Sequence, residues 1–467
     1  MNIVNNINQN TNYIAFGINN KNKNNNEQKV LLQETDLNLL STSELGKTCV
    51  VDRTKETKQF IREFLSEKDI EKSTKMLLER YPELSWLTGS VNATPEGNTP
   101  NKSSSISETL FCEKHIEFDR TIVGIECLKS VLNDNYEAFT KCQKDAVRLS
   151  KEEFKKLRDF TTGVLQTAQD VDAMIAYTVI NDLGKIKSFT KHVEETTGIK
   201  TNDHDEALLI GLKTMPEEIP SFNRLSTTYK NDVLNALNTG FNLAQFVQCE
   251  CLEGNLQGLK DMNPKARDLY LVHVFYDVAG AAGHVNPNGS LVMTSPVYTG
   301  YMQGIEAISN VSNTSEFDVY NDFLAKKADT LSMKLDTKED KALLKLAVMS
   351  RASNEQDVNN IIEAYNNLPE EEQKDLTTGL NSNGITDCGI LLYYSPAFLQ
   401  NSMNANPQNK VGMLAKAFKV MSYIYKDNKE NEETGIKTIS LSNIANRIKE
   451  EPEISAEDLY NYFCNNQ

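Results

Sequence analysis

No run of about 18 apolar residues occurs anywhere in this 467-residue chain, which excludes a membrane-spanning helix. The first thirty residues, dominated by Asn and Lys, lack the apolar core that a Sec leader requires. Export by another route would leave no such mark. Basic residues are also in deficit: 49 Lys and Arg stand against 65 Asp and Glu, a formal charge of −16. A field of that sign repels phosphate backbones, and no basic stripe offsets it, so a nucleic-acid partner is not expected. Small phosphorylated ligands stay within reach, because a metal or a few cations neutralise them locally. The eight cysteines form no paired CxxC spacing and read as reduced thiols of a cytosolic protein. Cys249 and Cys251 make a lone C-x-C, either a metal signal or, more commonly, two small residues in a helix.

Strand-like alternation is scarce, and no internal repeat or βαβ rhythm appears. Helical periodicity is abundant, so the expected fold class is all-α. Residues 1–30 cannot bury enough apolar surface to order themselves, and their bias carries no function by itself. A small helical segment is expected over 31–90, where Phe60, Phe64, Met76, Leu77 and the only tryptophan, Trp86, recur at helical intervals. The Ser/Thr/Asn/Gly/Pro-rich stretch 91–109 reads as a flexible linker. Helical segments then run over 111–145, 150–187, 201–213, 225–258 and 264–285, defining a domain over 110–290. A C-terminal helical region, 291–467, is joined by acidic and Asn-rich turns. Within it, "GILLYYSPAFLQNSM" offers Tyr393, Tyr394 and Phe398 to a protein partner, although a core helix ended by Pro396 is the commoner arrangement.

Only five histidines occur, all between residues 115 and 284, and four lie beside an aspartate or one or two turns from one. In "DLYLVHVFYDVAGAAGH", Asp277 follows His273 by four residues and His284 follows it by eleven. On a helix those offsets turn by roughly 40° and 20°, so the three share one stripe unless His284 already sits in the following loop. Gly280, Ala281, Ala282 and Gly283 admit a second backbone or a ligand at close range. The alternative is a polar network that only braces helices. In "AYTVINDLGKIKSF", Asp182 ends a strongly apolar run, where a carboxylate is costly to bury without a partner. Lys185, three residues on, faces the same side. A carboxylate gripping a metal beside an ammonium on a substrate oxygen fits this spacing, as does a helix end capped by Gly184. In "TNDHDEALLIGL", Asn202 or Asp203 can cap a helix, and His204 is the unexpected residue of its first turn.

The run Asn181-Asp182-Leu183-Gly184-Lys185 resembles the His-Asp-(Ile/Leu)-Gly-Lys core of the HD-domain metal-dependent phosphohydrolases, over roughly residues 110–290. The resemblance implies an all-α, HD-like domain with N- and C-terminal helical extensions. It also implies a divalent metal (Mg, Mn or Fe) held by Asp182 with His115, His204, His273 and Asp277, and Lys185 on the phosphate. The chain departs from that core at Asn181, where an amide replaces a histidine and is a poor transition-metal ligand. A depleted site, a single-metal site and a metal-free site all remain compatible. In a metal-free site, His204, His273 or His284 would do the acid–base work.

Two functional expectations follow. The first is a phosphohydrolase or phosphodiesterase for a phosphorylated small molecule, with Asp182, Lys185, His273 and His284 as catalytic groups. The second is an HD-like module without turnover that binds a ligand, or a protein partner through the C-terminal helices.

Overall fold

The computed structural model describes residues 44–90, 103–201, 203–428 and 434–466, with side chains from Thr54 onward. The Asn-rich start and most of the stretch read as a linker lie outside the described residues. At the far end of that stretch a short helix, Ile106–Phe111, begins instead of more linker. Its cause is local: Ser105 and Glu108 form a reciprocal capping box.

The chain divides into two units, one comprising described residues up to 238 together with 263–298, the other comprising 239–262 and 299–466. The first unit contains α1 (Glu44–Ser66), α2 (Ile70–Arg80), α3 (Ile116–Leu132), α4 (Lys151–Val164), α5 (Ala168–Ile180), α6 (Lys187–Thr197), α7 (His204–Thr214), α8 (Thr227–Leu237) and α9 (Pro264–Gly280). Capping fixes most starts. Ser150 with Glu153 opens α4, Thr167 with Asp170 opens α5, and Asn263 followed by Pro264 opens α9. The central helices α3, α5 and α9 bury nearly every face, which accounts for their unbroken apolar runs. Of the segment 31–90, expected to precede the domain over 110–290 as a separate piece, the part from residue 54 packs into this unit. Tyr81 and Arg80 both bond to the buried Asp172 of α5, at 2.7 and 3.0 Å.

The expected helical stretch 225–258 is broken. α8 stops at Leu237, Gly240 takes a left-handed φ of 63°, and Asn242 caps a separate short helix, Leu243–Val247. Cys249 and Cys251 therefore sit in a turn rather than a helix. Both are buried, and burial pushes the Cys249 thiol up to about 12.

The second unit contains α10 (Glu316–Leu331), α11 (Lys338–Met349), α12 (Glu355–Asn366), α13 (Glu370–Leu380), β1 (Cys388–Tyr393), α14 (Ser395–Ala405), α15 (Lys410–Asp427), β2 (Gly435–Ser440), α16 (Ser442–Glu450) and α17 (Ala456–Asn465). The strands pair in parallel, from Cys388 opposite Gly435 to Tyr393 opposite Ser440, with α14 and α15 in the crossover that a parallel pair requires. The six residues of β1 were expected to be helical and to stop at Pro396. Pro396 instead lies in the first turn of α14, where a missing N–H costs nothing. Tyr394, at φ 74°, makes the corner between strand and helix, while Tyr393 and Phe398 are core residues. The fold class is all-α with this single parallel strand pair among the described residues.

Buried Glu250 receives the backbone N–H groups of Tyr394 and Ser395, and burial pushes its carboxyl up to about 8. As pH rises from the ordinary glutamate range to about 8, the unfolded chain releases this proton while the folded chain keeps it, so stability falls across that window. Glu250→Gln is expected to remove that loss. Its melting temperature should overtake that of the parent progressively between about pH 5 and 8 and hold a constant lead above, as thermal melts at stepped pH will record.

Candidate functional site

Three glycines set the geometry of the centre of the first unit. A β-carbon on Gly280 would lie 2.2 Å from the Arg120 carbonyl oxygen, one on Gly124 would lie 2.7 Å from that of Tyr276, and one on Gly283 would lie 2.5 Å from that of Asp119. The small residues Gly280 to Gly283 thus receive the backbone of α3, not a ligand. That contact brings the first turn of α3, with Glu117 and Arg120, beside the last turns of α9, with His273 and Asp277. After α5, Asn181 is the C-cap and Asp182 leads into the 3₁₀ turn Leu183–Lys185. Gly184 is not a left-handed cap there: its β-carbon position lies 1.8 Å from the His204 carbonyl oxygen, so α7 begins in direct contact with the turn. Gly184→Ala is expected to push α7 off the turn and destabilise the protein by more than about 2 kcal/mol, measured by urea denaturation. A loss below about 0.5 kcal/mol would contradict this packing.

The side chains gathered by these contacts form one ionic cluster. The Lys185 Nζ donates to Asp182 Oδ1 at 2.8 Å and to Glu117 Oε2 at 3.3 Å. The other Glu117 oxygen receives Arg120 Nη1 at 3.0 Å. Burial works against the ionised Asp182, but Lys185 and Arg120 outweigh it and hold the carboxyl well below its usual range. Burial, with the neighbouring Asp182 charge, pushes Glu117 up. Burial also pushes half-buried Asp277 up to about 7, with Arg120 and Lys185 opposing and Asp182 and Glu117 adding to the rise. From α7, Asp205 is raised well above its usual value by burial, then by Asp203 and Asp182. The surplus of carboxyls is thus met by two firm cations and by retained protons.

His273 is buried and stacks on Tyr177 with ring centroids 4.0 Å apart. Its Nδ1 lies 3.3 Å from Thr178 Oγ1, whose own hydrogen goes to the Met174 carbonyl at 2.9 Å. Nδ1 is therefore the protonated nitrogen and Nε2 the acceptor. Burial lowers the ring to about 4, so the imidazole is neutral at physiological pH. α9 ends at Gly280, and His284 lies beyond it, buried in the turn that follows, so the shared helical stripe covers His273 and Asp277 only.

Asp182, Lys185 and Asp277 join the cluster, with His273 feeling the Asp182 charge. His115 does not. It precedes α3, its ring packs on Phe111, and its Nε2 lies 3.9 Å from Glu113. His204 points its Nε2 to Asp205 at 3.3 Å. Among the described residues, the His, Cys, Asp and Glu side chains spaced to share a metal are Asp203, His204 and Asp205, not the five ligands expected from the resemblance. Even there Asp203 is occupied as the cap of α7, accepting from the Asp205 and Glu206 N–H groups, and a helix N-terminus opposes a cation. At Asp182 a divalent ion does not fit, because the Lys185 ammonium already lies between the two carboxylates that would hold it. Glu117 and Arg120 are not among the site residues expected from the sequence. Acidic residues in the first turn of a helix are routine, so Glu117 and Asp119 carried no distinguishing signal, and only the burial of that turn sets Glu117 and Arg120 apart.

The fold and centre define an all-helical protein built around a buried carboxylate–ammonium–guanidinium cluster, and no helix among the described residues is long and apolar enough to cross a membrane. The chain belongs to a family of unknown function (DUF6829), whose sequence profile matches residues 75–454. No curated protein and no solved structure matches it.

Proposed function

We propose that the cluster is an HD-like centre that takes a phosphorylated small molecule and hydrolyses its phosphoester without a metal. The support is the placement of Asp277, a half-buried carboxyl one turn from His273 on α9 and within the field of Arg120 and Lys185, which burial pushes up to about 7. A group poised near neutrality is suited to acid catalysis, because an appreciable fraction carries a proton and releases it readily. Lys185 and Arg120 offset charge on the non-bridging oxygens, while Asp205 and Glu117, pushed toward their neutral forms, reduce repulsion of the anion. Water donates a hydrogen bond to His273 Nε2 and attacks phosphorus, and its proton passes from there to the phosphate product, because a ring lowered to about 4 does not retain it. The phosphorus–oxygen bond to the leaving group breaks, and the Asp277 proton goes to that oxygen. Hydrolysis needs little covalent help from the protein, because the transition state is loose and positioning dominates. The free thiols among the described cysteines suit a reducing compartment, and we place the reaction in the cytosol.

The assay is hydrolysis of a panel of phosphomonoesters, phosphodiesters and nucleotides, run with chelator and again with Mg, Mn or Fe. Turnover that persists in chelator and falls by about a hundredfold or more in Asp277→Asn and Lys185→Ala is the expected result. Equal activity in parent and variants, or none on any substrate, overturns the hydrolytic reading. A second reading, a ligand-binding module without turnover, draws on the same Lys185 contacts, which occupy the ammonium, and on Asn181 in place of a histidine. It predicts phosphate-ester binding by calorimetry with no product formed.

A further inference from the structure

An ammonium between two buried carboxylates does electrostatically what a bound cation does. Here it offsets the charge of a carboxyl pair that also hydrogen-bonds within itself, Asp182 being the acceptor side and Glu117 the side pushed up. Lys185 reaches Asp182 on its own turn and Glu117 on α3, and the remaining Glu117 oxygen is taken by Arg120. Glu117 is 2% exposed and Asp182 8% exposed, while the Lys185 side chain keeps about a fifth of its surface open, so both carboxyls depend mainly on protein groups for neutralisation. Leaving either carboxylate there without a cation is costly, so whichever positive group is available will be held tightly.

We propose that the Lys185 side chain is a built-in replacement for a divalent cation, and that removing its charge converts the Asp182–Glu117 pair into a metal site. This rests on reading the cluster as the working centre, and it explains why an HD-like turn operates with Asn181 in place of a ligand. With Lys185 neutral, Asp182 and Glu117 present hard oxygen donors from two helical elements, Asp277 lies in the same electrostatic group, and Arg120 alone remains as counter-charge. Such a set favours a hard cation that accepts carboxylates and keeps several waters, such as Mg or Mn.

The test uses Mn²⁺ titration of the full chain, followed by calorimetry and by thermal melts, and needs no substrate. Lys185→Ala is the direct variant, and Lys185→Gln keeps length and polarity should the alanine protein fold poorly. Expected are at least tenfold tighter Mn²⁺ binding in either variant than in the parent, a Mn²⁺-dependent rise in melting temperature absent from the parent, and loss of both when Asp182→Asn is added. Two results overturn the proposal: unchanged Mn²⁺ affinity in a folded Lys185 variant, or parent protein that already binds Mn²⁺ and loses it through Asp182→Asn alone. Because nothing here depends on turnover, absence of hydrolysis leaves this test standing, and absence of gained metal leaves the hydrolytic assay standing.

Discussion

Replacing Glu117 with alanine is expected to lower the unfolding free energy by about 3–5 kcal/mol, the largest single-residue effect at this centre. The loss arises from what is left behind. Arg120 and Lys185 keep their charges, burial persists, and the carboxylate that received both at 3.0 and 3.3 Å is gone. Glu117→Gln should cost less, since its amide oxygen still accepts from one cation. Adding Lys185→Met to Glu117→Ala should recover part of the loss, because one stranded cation is removed with its partner. Urea denaturation of the single and double variants measures the coupling. A loss below about 1 kcal/mol for Glu117→Ala, typical of solvent-exposed pairs, would show that water reaches the cluster.

Asp277→Asn is expected to reduce phosphoester turnover by roughly 10²–10⁴-fold, the usual contribution of a positioned general acid. The pH profile distinguishes chemistry from misfolding. Parent activity should decline as pH rises through about 7, where Asp277 loses the proton it donates, whereas the residual activity of the asparagine variant should not follow that descent. Stability falls with rising pH as well, but over a lower window. The native carboxyl keeps its proton to about pH 7 while the unfolded chain releases it near the ordinary aspartate value, so the parent loses stability between those pH values, by on the order of 1 kcal/mol per unit. Asp277→Asn lacks that loss, and above about pH 7 it should be at least as stable as the parent. A variant that is both inactive and less stable there would show that Asp277 serves packing rather than proton transfer.

The helical class was legible in the sequence because helical periodicity and capping are local. Helices expected to begin near residues 150 and 264 do so, under Ser150 with Glu153 and under Asn263, whereas the stretch expected to be helical over 150–187 breaks at Leu165 and restarts under a second capping box, Thr167 with Asp170. Asp182 with Lys185 was legible for the same reason, since an (i, i+3) pair meets within one turn. The stripe through His273 extended too far because its arithmetic assumes an unbroken helix, and α9 ends at Gly280. β1 was missed because six apolar residues buried on both faces carry no period that separates strand from helix. Cys249 and Cys251 were misplaced because the turn at Gly240 depends on where neighbouring elements lie.

By itself, then, the amino-acid order determined the helical class, the lack of a long apolar run and the Asp182–Lys185 pair, all set by interactions within a few residues. Tertiary structure alone decided that Glu117 and Arg120 complete the centre, that His115 stays outside it, and that Gly184 and Gly280 are points of backbone contact. Those outcomes depend on which helices meet and how closely, and the energy of burying a charge is settled only by partners that arrive from elsewhere in the chain.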